Sequence, residues 1–290
     1  MSIDGFIPEI WSASLLKSLA KSQKFAQPQV VNRNYEGDIS NAGDTVRVNS
    51  VSGVTIGTYT KNSDITTETL TGTQATLDID HADYYSFQVD DVDSRQAAGA
   101  PLEAAFYEAA QGLADVCDKA IGELYPGAAG AVGASDAGIA LTADGAAYQG
   151  LIDLSVVLDN QHVPTEGRFV VVPPFFAGLL LTDNKFVGSG ALPADVRLAT
   201  GQVGEAAGFA VIKSPNVAAV TGGGEGAAGI YAIMGGTPAG ISYASQISAV
   251  EAYRMESRFA DGVKGLHLWG ADVIQPEALA TLYVELAVAP

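Results

Sequence analysis

The chain is poor in the residues that cross-link, ligate metals or bind phosphate. It holds one cysteine, Cys117, in 290 residues, so an internal disulfide is excluded and stability must come from burial. Cys117 falls in an apolar helical pattern with Leu113, Val116 and Ile121, the setting of a cysteine that packs as a small hydrophobe. The three histidines, His81, His162 and His267, are too far apart in sequence to form a local metal-ligand pair. Lys and Arg number 15 against 33 Asp and Glu, a net charge of −18. Such a balance argues against a sequence-reading nucleic-acid binder, whose affinity rests on clustered cations that release counterions.

No uninterrupted apolar run of about 18 residues occurs, and residues 1–5 lack a basic stretch leading into one. The expectation is a soluble protein made inside the cell, with no membrane partner. Neither a G-x-S-x-G elbow nor a P-loop lysine pattern is present. Gly224, Gly226 and Gly229 do have G-x-G-x-x-G spacing, and Glu251 stands near the distance of a ribose-binding acid. But Ile230, Tyr231, Ala232, Ile233 and Met234 then read as a strand ended by Gly235 and Gly236, where a dinucleotide site needs a helix N-terminus facing the pyrophosphate. A loop is expected there. Asp78, Asp80 and Asp83 crowd like a calcium loop, yet the sixth position is Asp83 instead of Gly and the twelfth is Val89 instead of Glu. Asp90, Asp91 and Asp93 leave open a loose cation site beside the plainer reading of acidic strand ends in solvent. No catalytic residue, cofactor or metal is expected.

What the chain does have is apolar surface: 48 % of its residues are hydrophobic, an excess that suggests faces meant for partners. Near the N-terminus Trp11, Leu15 and Leu19 recur every four residues, while Lys17, Lys21 and Lys24 fall opposite. This predicts a short helix with a basic face, either solvated or in contact with an acidic neighbour, a scaffold or packaged DNA. Residues 37–95 turn rich in Thr, Val, Ser and Asp. Alternation at residues 45–49, and of Ala75, Leu77 and Ile79 against Thr76, Asp78 and Asp80, predicts two strands of a long hairpin. Its tip would carry Tyr59, Lys61, Asn62 and Asp64, with turn chemistry at Asn62, Ser63 and Asp64. Two strands alone are marginal in water, so something outside this segment should hold them.

Leu102, Phe106, Leu113, Cys117, Ile121 and Leu124 set out a long Ala-rich helix with Pro101 in its first turn and a stop at Pro126 and Gly127. Residues 127–138 are nearly all Gly and Ala and predict a loop between subdomains. A second helix is expected over residues 143–160, a strand buried on both faces over 168–172, and a third helix over 175–181. Strands follow at 251–258, 263–269 and 279–288, with a turn at Asp261 and Gly262. The mixture implies an α/β or α+β layer.

The order of these segments, with "VPTEGRFVVVPPFFAGLLL" at residues 163–181 and "GLHLWGADVIQPEALATL" at 265–282, resembles the tailed-bacteriophage major capsid protein family. Neither stretch is a strict motif, and the likeness rests on order across nearly the whole chain. It implies an α+β fold of the Hong Kong 97-like kind: an N-arm over 1–36, an extended β-hairpin loop over 37–95, a peripheral domain with a long spine helix over 96–138 and 247–290, and an axial domain over 139–246. It also implies a non-enzymatic shell subunit that self-assembles as hexamers and pentamers into the icosahedral head enclosing packaged double-stranded phage DNA. Portal and scaffolding proteins, and a decoration protein, are the further partners it suggests; the virion is the location and the bacterial host cytoplasm the place of synthesis. An encapsulin-like nanocompartment shell shares the fold. A nucleotide-binding enzyme would rest on the glycine spacing alone. The hairpin tip residues Tyr59, Lys61, Asn62 and Asp64 become candidate inter-subunit contacts.

Overall fold

The computed structural model describes residues 23–34, 45–51, 56–62, 64, 67, 69, 72–90, 101–142, 145–183, 204–221, 229–254 and 260–286. Strands β1 (Thr45–Val51) and β2 (Gly72–Asp78) pair antiparallel from Thr45 opposite Asp78 to Val51 opposite Gly72. They form a two-stranded ribbon whose strands are joined in sequence by residues 52–71. The alternation that predicts β2 is the alternation of burial: Leu77 and Ile79 are buried, while Thr76, Asp78 and Asp80 are exposed.

Strand β3 (His81–Asp90) continues the chain into a three-stranded antiparallel sheet with β12 (Ala260–Val273) and β11 (Ile241–Arg254), in the order β11-β12-β3. The turn expected at Asp261 and Gly262 is corrected here. Both lie inside β12, opposite Arg254 and Tyr253 on one side and Val89 and Gln88 on the other. Gly262 serves as floor instead of turn, because the Tyr253 ring lies over it and a Cβ there would stand 2.6 Å from the ring Cζ. Strand β11 also begins at Ile241, well before the expected start at residue 251.

Helix α1 (Pro101–Glu123) joins two cores. Phe106, Ala110, Leu113 and Ala114 pack against Tyr85 and Val263 beneath the three-stranded sheet, with Phe106 edge-on to Tyr85 at 6.3 Å. Cys117 and Ile121, farther along the same face, enter the main core. Val116, expected beside Cys117 in that core, is exposed instead, since the buried stripe runs through the pairs 113/114 and 117/118 to 121 and position 116 lies about 100° to its other side.

After a 3-10 turn at Tyr125–Gly127, the Gly/Ala segment forms β4 (Gly130–Val132) and β5 (Ile139–Ala140), a correction to the expected loop. Both run parallel to β13 (Leu279–Leu286). Smallness is what lets this segment pack: a Cβ on Gly130 would stand 2.6 Å from Val157 Cγ1 and 2.9 Å from Ala280 Cβ. Helix α2 (Ala146–Asn160), β6 (Phe169–Val172), helix α3 (Pro174–Thr182), β7 (Glu205–Ala206), β8 (Phe209–Lys213), β9 (Ala219–Thr221) and β10 (Gly229–Gly236) follow. The resulting sheet runs β4-β13-β10-β6-β8-β7, with β5 beside β13 and β9 beside β10. All four β6 residues are buried, as its unbroken valine run implies. Leu151, Leu154 and Leu158 of α2 join them in the core, each such burial contributing about 1.5–3 kcal/mol. Arg168, just before β6, is buried and donates to Asp159 Oδ1 at 2.7 Å and to the carbonyls of Val163 and Pro164, stapling the α2–β6 connection.

Candidate functional site: an assembly surface

The hairpin base is built into the subunit. Leu77 and Ile79 pack with Ala244 and Leu268 of the three-stranded sheet, and Gly270 of β12 admits the Asp78 carbonyl so closely that any Cβ there would collide with it. Among the described residues the distal end has no such cover. Ile56 is 95 % and Tyr59 69 % exposed, and Lys61, Asn62, Asp64, Thr67 and Thr69 are exposed with them. Asn62 sits at φ 68°, a left-handed turn position that asparagine tolerates. Tyr59, Lys61, Asn62 and Asp64 are therefore exposed together, apolar and charged groups side by side in the sequence.

A second exposed region lies on the face of the three-stranded sheet that α1 does not cover. Tyr84, 78 % exposed, joins Ser86, Glu251, Lys264, Gly265 and Leu266 around a depression of about 450 Å³. Lys264 donates to Glu251 Oε2 at 2.7 Å and stands 5.7 Å from the Tyr253 ring centroid. The Glu251 hydrogen bond and charge raise the Lys264 pKa. Both partners are exposed, so the pair orients the rim of the depression instead of holding the fold.

Of the predicted basic face, Lys17 and Lys21 lie outside the described residues. Lys24 is corrected: it sits in a bend, not on a helix, and its backbone is tied down. Asp118 of α1 accepts from the N–H groups of Lys24 at 2.7 Å, Phe25 at 3.0 Å and Ala26 at 3.3 Å. From there residues 23–33 form a strap across the core, burying Phe25, Ala26, Val30 and Val31. Its far end bridges to β11: Asn32 N–H donates to the Ile241 carbonyl at 2.8 Å, and Tyr243 N–H donates to the Asn32 carbonyl at 2.9 Å. Arg33 stacks over the Tyr243 ring at 5.4 Å. Burial pushes the Asp118 carboxyl up to about 6, against the lowering pull of its three N–H donors.

Beneath the strap is a small polar pocket in the core. Tyr243 Oη donates to Cys117 Sγ at 3.8 Å and accepts from Gln23 Nε2 at 3.3 Å, and Cys117 Sγ lies 4.0 Å from His267 Nδ1. Cys117 is buried as expected, with its thiol pushed up to about 12 by desolvation. Desolvation holds His267 down at about 4, and its Nε2 has no hydrogen-bond partner.

Sequence reasoning missed the strap and Asp118. One signal was available: Asp118 falls on the apolar stripe of α1 between Ala114 and Ile121, and a carboxylate there must find donors. The glycine spacing resolves against a dinucleotide site, since Gly229 opens a strand, β10, not a helix. Among the described residues no His, Cys, Asp and Glu cluster could hold a metal ion; of the loose acidic group, Asp91 and Asp93 lie outside them. Among the described residues, too, no helix is long and apolar enough to cross a membrane.

A core of two sheets tied by one long helix, with a hairpin whose root is packed and whose end is bare, defines a subunit made to be completed by other chains. The chain belongs to the phage capsid protein family, whose model matches residues 74–282. It is a major capsid protein, a structural component of the virion. A chain of Mycobacterium phage Che8 is 28 % identical with a TM-score of 0.64, over 87 % of this chain and 88 % of that one. The capsid of Ralstonia phage GP4 has a TM-score of 0.66 at 12 % identity, over 93 % and 91 %. A virus-like particle from Pyrococcus furiosus has a TM-score of 0.57 at 13 % identity, over 94 % and 98 %; at such identity these last two show the fold alone. No curated protein matches the chain.

Proposed function

We propose that the chain assembles as hexamers and pentamers into one closed icosahedral head that encloses double-stranded phage DNA. The observation that carries this is the hairpin: an end bearing Ile56 and Tyr59, both exposed, on a root held by Leu77 and Ile79, is a contact prepared for another subunit. In this reading Tyr59, Lys61, Asn62 and Asp64 dock on a neighbouring copy, and the depression around Tyr84, Lys264 and Leu266 is the receiving face. Closed symmetry then leaves no repeating interface exposed.

The subdivision follows the same reading: an N-arm over 1–36 with Lys17 and Lys21 on its basic side, a hairpin loop over 37–95, a peripheral domain over 96–138 and 247–290, and an axial domain over 139–246. Synthesis is in the bacterial cytoplasm, and portal and scaffolding proteins, with a decoration protein outside, act as assembly partners. DNA is enclosed without sequence reading, a view that the net charge of −18 supports.

Electron microscopy of the purified chain, alone and with the assembly proteins of its phage, tests the proposal. Closed shells filled with DNA during infection support it. Shells that hold protein cargo instead would favour a nanocompartment, and a chain that stays monomeric under both conditions would overturn the reading. Stabilisation by NAD in a thermal melt would reopen the nucleotide-binding alternative.

A further inference from the structure

Asp118 is the one carboxylate buried on the core-facing stripe of α1 among the described residues. It is placed there by the helix, one residue after Cys117 and three before Ile121, both fully buried. Its two oxygens take three successive backbone N–H groups, those of Lys24, Phe25 and Ala26, at 2.7, 3.0 and 3.3 Å. Three donors from one short run can converge on one carboxylate only if that run is bent around it, and residues 24–27 are a bend. The bent run is then pinned on its far side by the Phe25, Val30 and Val31 side chains and by the Asn32 bridge to β11.

The strap therefore lies in the chain between residues 1–22 and the hairpin. Residues 1–22 leave from its Asp118 end, and the hairpin that begins at Thr45 leaves beyond its Asn32 end. A pull on the first arrives at α1 before it can reach the second.

Building on the assembly reading above, we infer that Asp118 is the positioning residue of the N-terminal arm: its carboxylate fixes the point on α1 from which residues 1–22 depart, and so sets which neighbouring subunits that arm meets. Among the described residues the other polar contacts at this end of the strap are single ones: Arg33 Nη1 donates to the Ala26 carbonyl at 3.2 Å. Gln23 holds Tyr243 by a single 3.3 Å contact, and the Gln27 side chain bonds only within the strap, to the Gln23 carbonyl.

The experiment compares the full-length parent, Asp118→Asn, a truncation lacking residues 1–22, and the truncation carrying Asp118→Asn. Asparagine keeps the shape but replaces one acceptor oxygen with an NH2 that faces donors. Amide exchange is read at residues 24–26 and, as a control for folding, at Ile233 and Met234 of β10; assembly is read as the fraction of chain in closed shells and their size distribution. The expected result is exchange at least 10-fold faster at 24–26 with β10 unchanged, mis-sized or open particles for Asp118→Asn, and no added defect when the substitution is placed in the truncated chain. Parent-like shells from Asp118→Asn, or a further loss on adding it to the truncation, would overturn the inference. Should Asp118→Asn lose β10 protection, Asp118→Glu, which keeps the charge but shifts it by one methylene, carries the same comparison with the same outcomes. Failure of the parent itself to form shells would count against the assembly reading and not against Asp118.

Discussion

Trp269 of β12 donates its indole N–H to Asp83 Oδ2 of β3 at 2.7 Å. The same ring stacks on His81 at 4.1 Å and 11°, so the indole is gripped from its edge and its face where the hairpin root meets the sheet. Trp269→Phe keeps an aromatic ring and removes the donor. The expected cost is about 1–3 kcal/mol, the range for a charged acceptor left without its partner, read as a lower urea midpoint with an unchanged slope. A loss below about 0.5 kcal/mol would mean that Asp83 finds water as easily.

Close approach, not conformational freedom, accounts for Gly270. The Asp78 carbonyl occupies the space a Cβ would need, and this contact seats the hairpin root on β12. Gly270→Ala is expected to lift the root, cost more than about 2 kcal/mol as overpacking does, and speed amide exchange across β1 and β2 while β10 stays protected. Equal exchange in both proteins would show that the root is held elsewhere.

Two buried groups under and beside the strap titrate with opposite consequences. The folded pKa of His267 is lowered from 6.5 to about 4, so its contribution is fully present above pH 6.5 and is lost as pH falls toward 4. The folded pKa of Asp118 is raised from 3.8 to about 6, so its charge destabilises the fold above pH 6 and that penalty is relieved as pH falls toward 3.8. Each is worth ~3 kcal/mol over its window, and the windows overlap. His267 is faced by Asp83 and Arg33, whose charges act in opposite directions on it, and by Cys117; Asp118 has the Asp115 charge beside it. Relative to the parent, Asp118→Asn should lose stability between pH 6.5 and 4, and His267→Gln should gain it. Urea midpoints across that range check the signs, and parallel curves for all three proteins would refute the pairing.

The shell is expected to be held without covalent cross-links. Lys61 is the one lysine in residues 37–95, and a cross-link through its amine needs an amide acceptor that loses ammonia. Residues 250–290 contain no asparagine and one other amide side chain, Gln275, and Asp261 and Asp272 are carboxylates, poor acyl donors without activation. Shells boiled in denaturant should run as a single band near the 29.8 kDa chain. A ladder that vanishes in Lys61→Ala would contradict this.

Local pattern was enough for the elements whose partner is simply the core. The Leu77–Ile79 alternation, the stripe from Phe106 to Ile121, the four-residue strand of Phe169 and three valines, and the strand after Gly229 were all legible, because each needs only to turn an apolar face inward. So was the family, through the order of those elements. What tertiary structure alone decided are contacts in which a residue's meaning depends on a distant neighbour. Asp118 reads as an oddity on an apolar stripe until Lys24, 94 positions away, brings three N–H groups to it. Gly262 reads as a turn until the Tyr253 ring covers it, and the Gly/Ala stretch at 127–138 reads as a loop until β13 offers it an edge. Glycine and alanine carry no side-chain pattern, and a buried charge is settled only by its donors. Periodicity says which face goes inward; only the fold says what waits there.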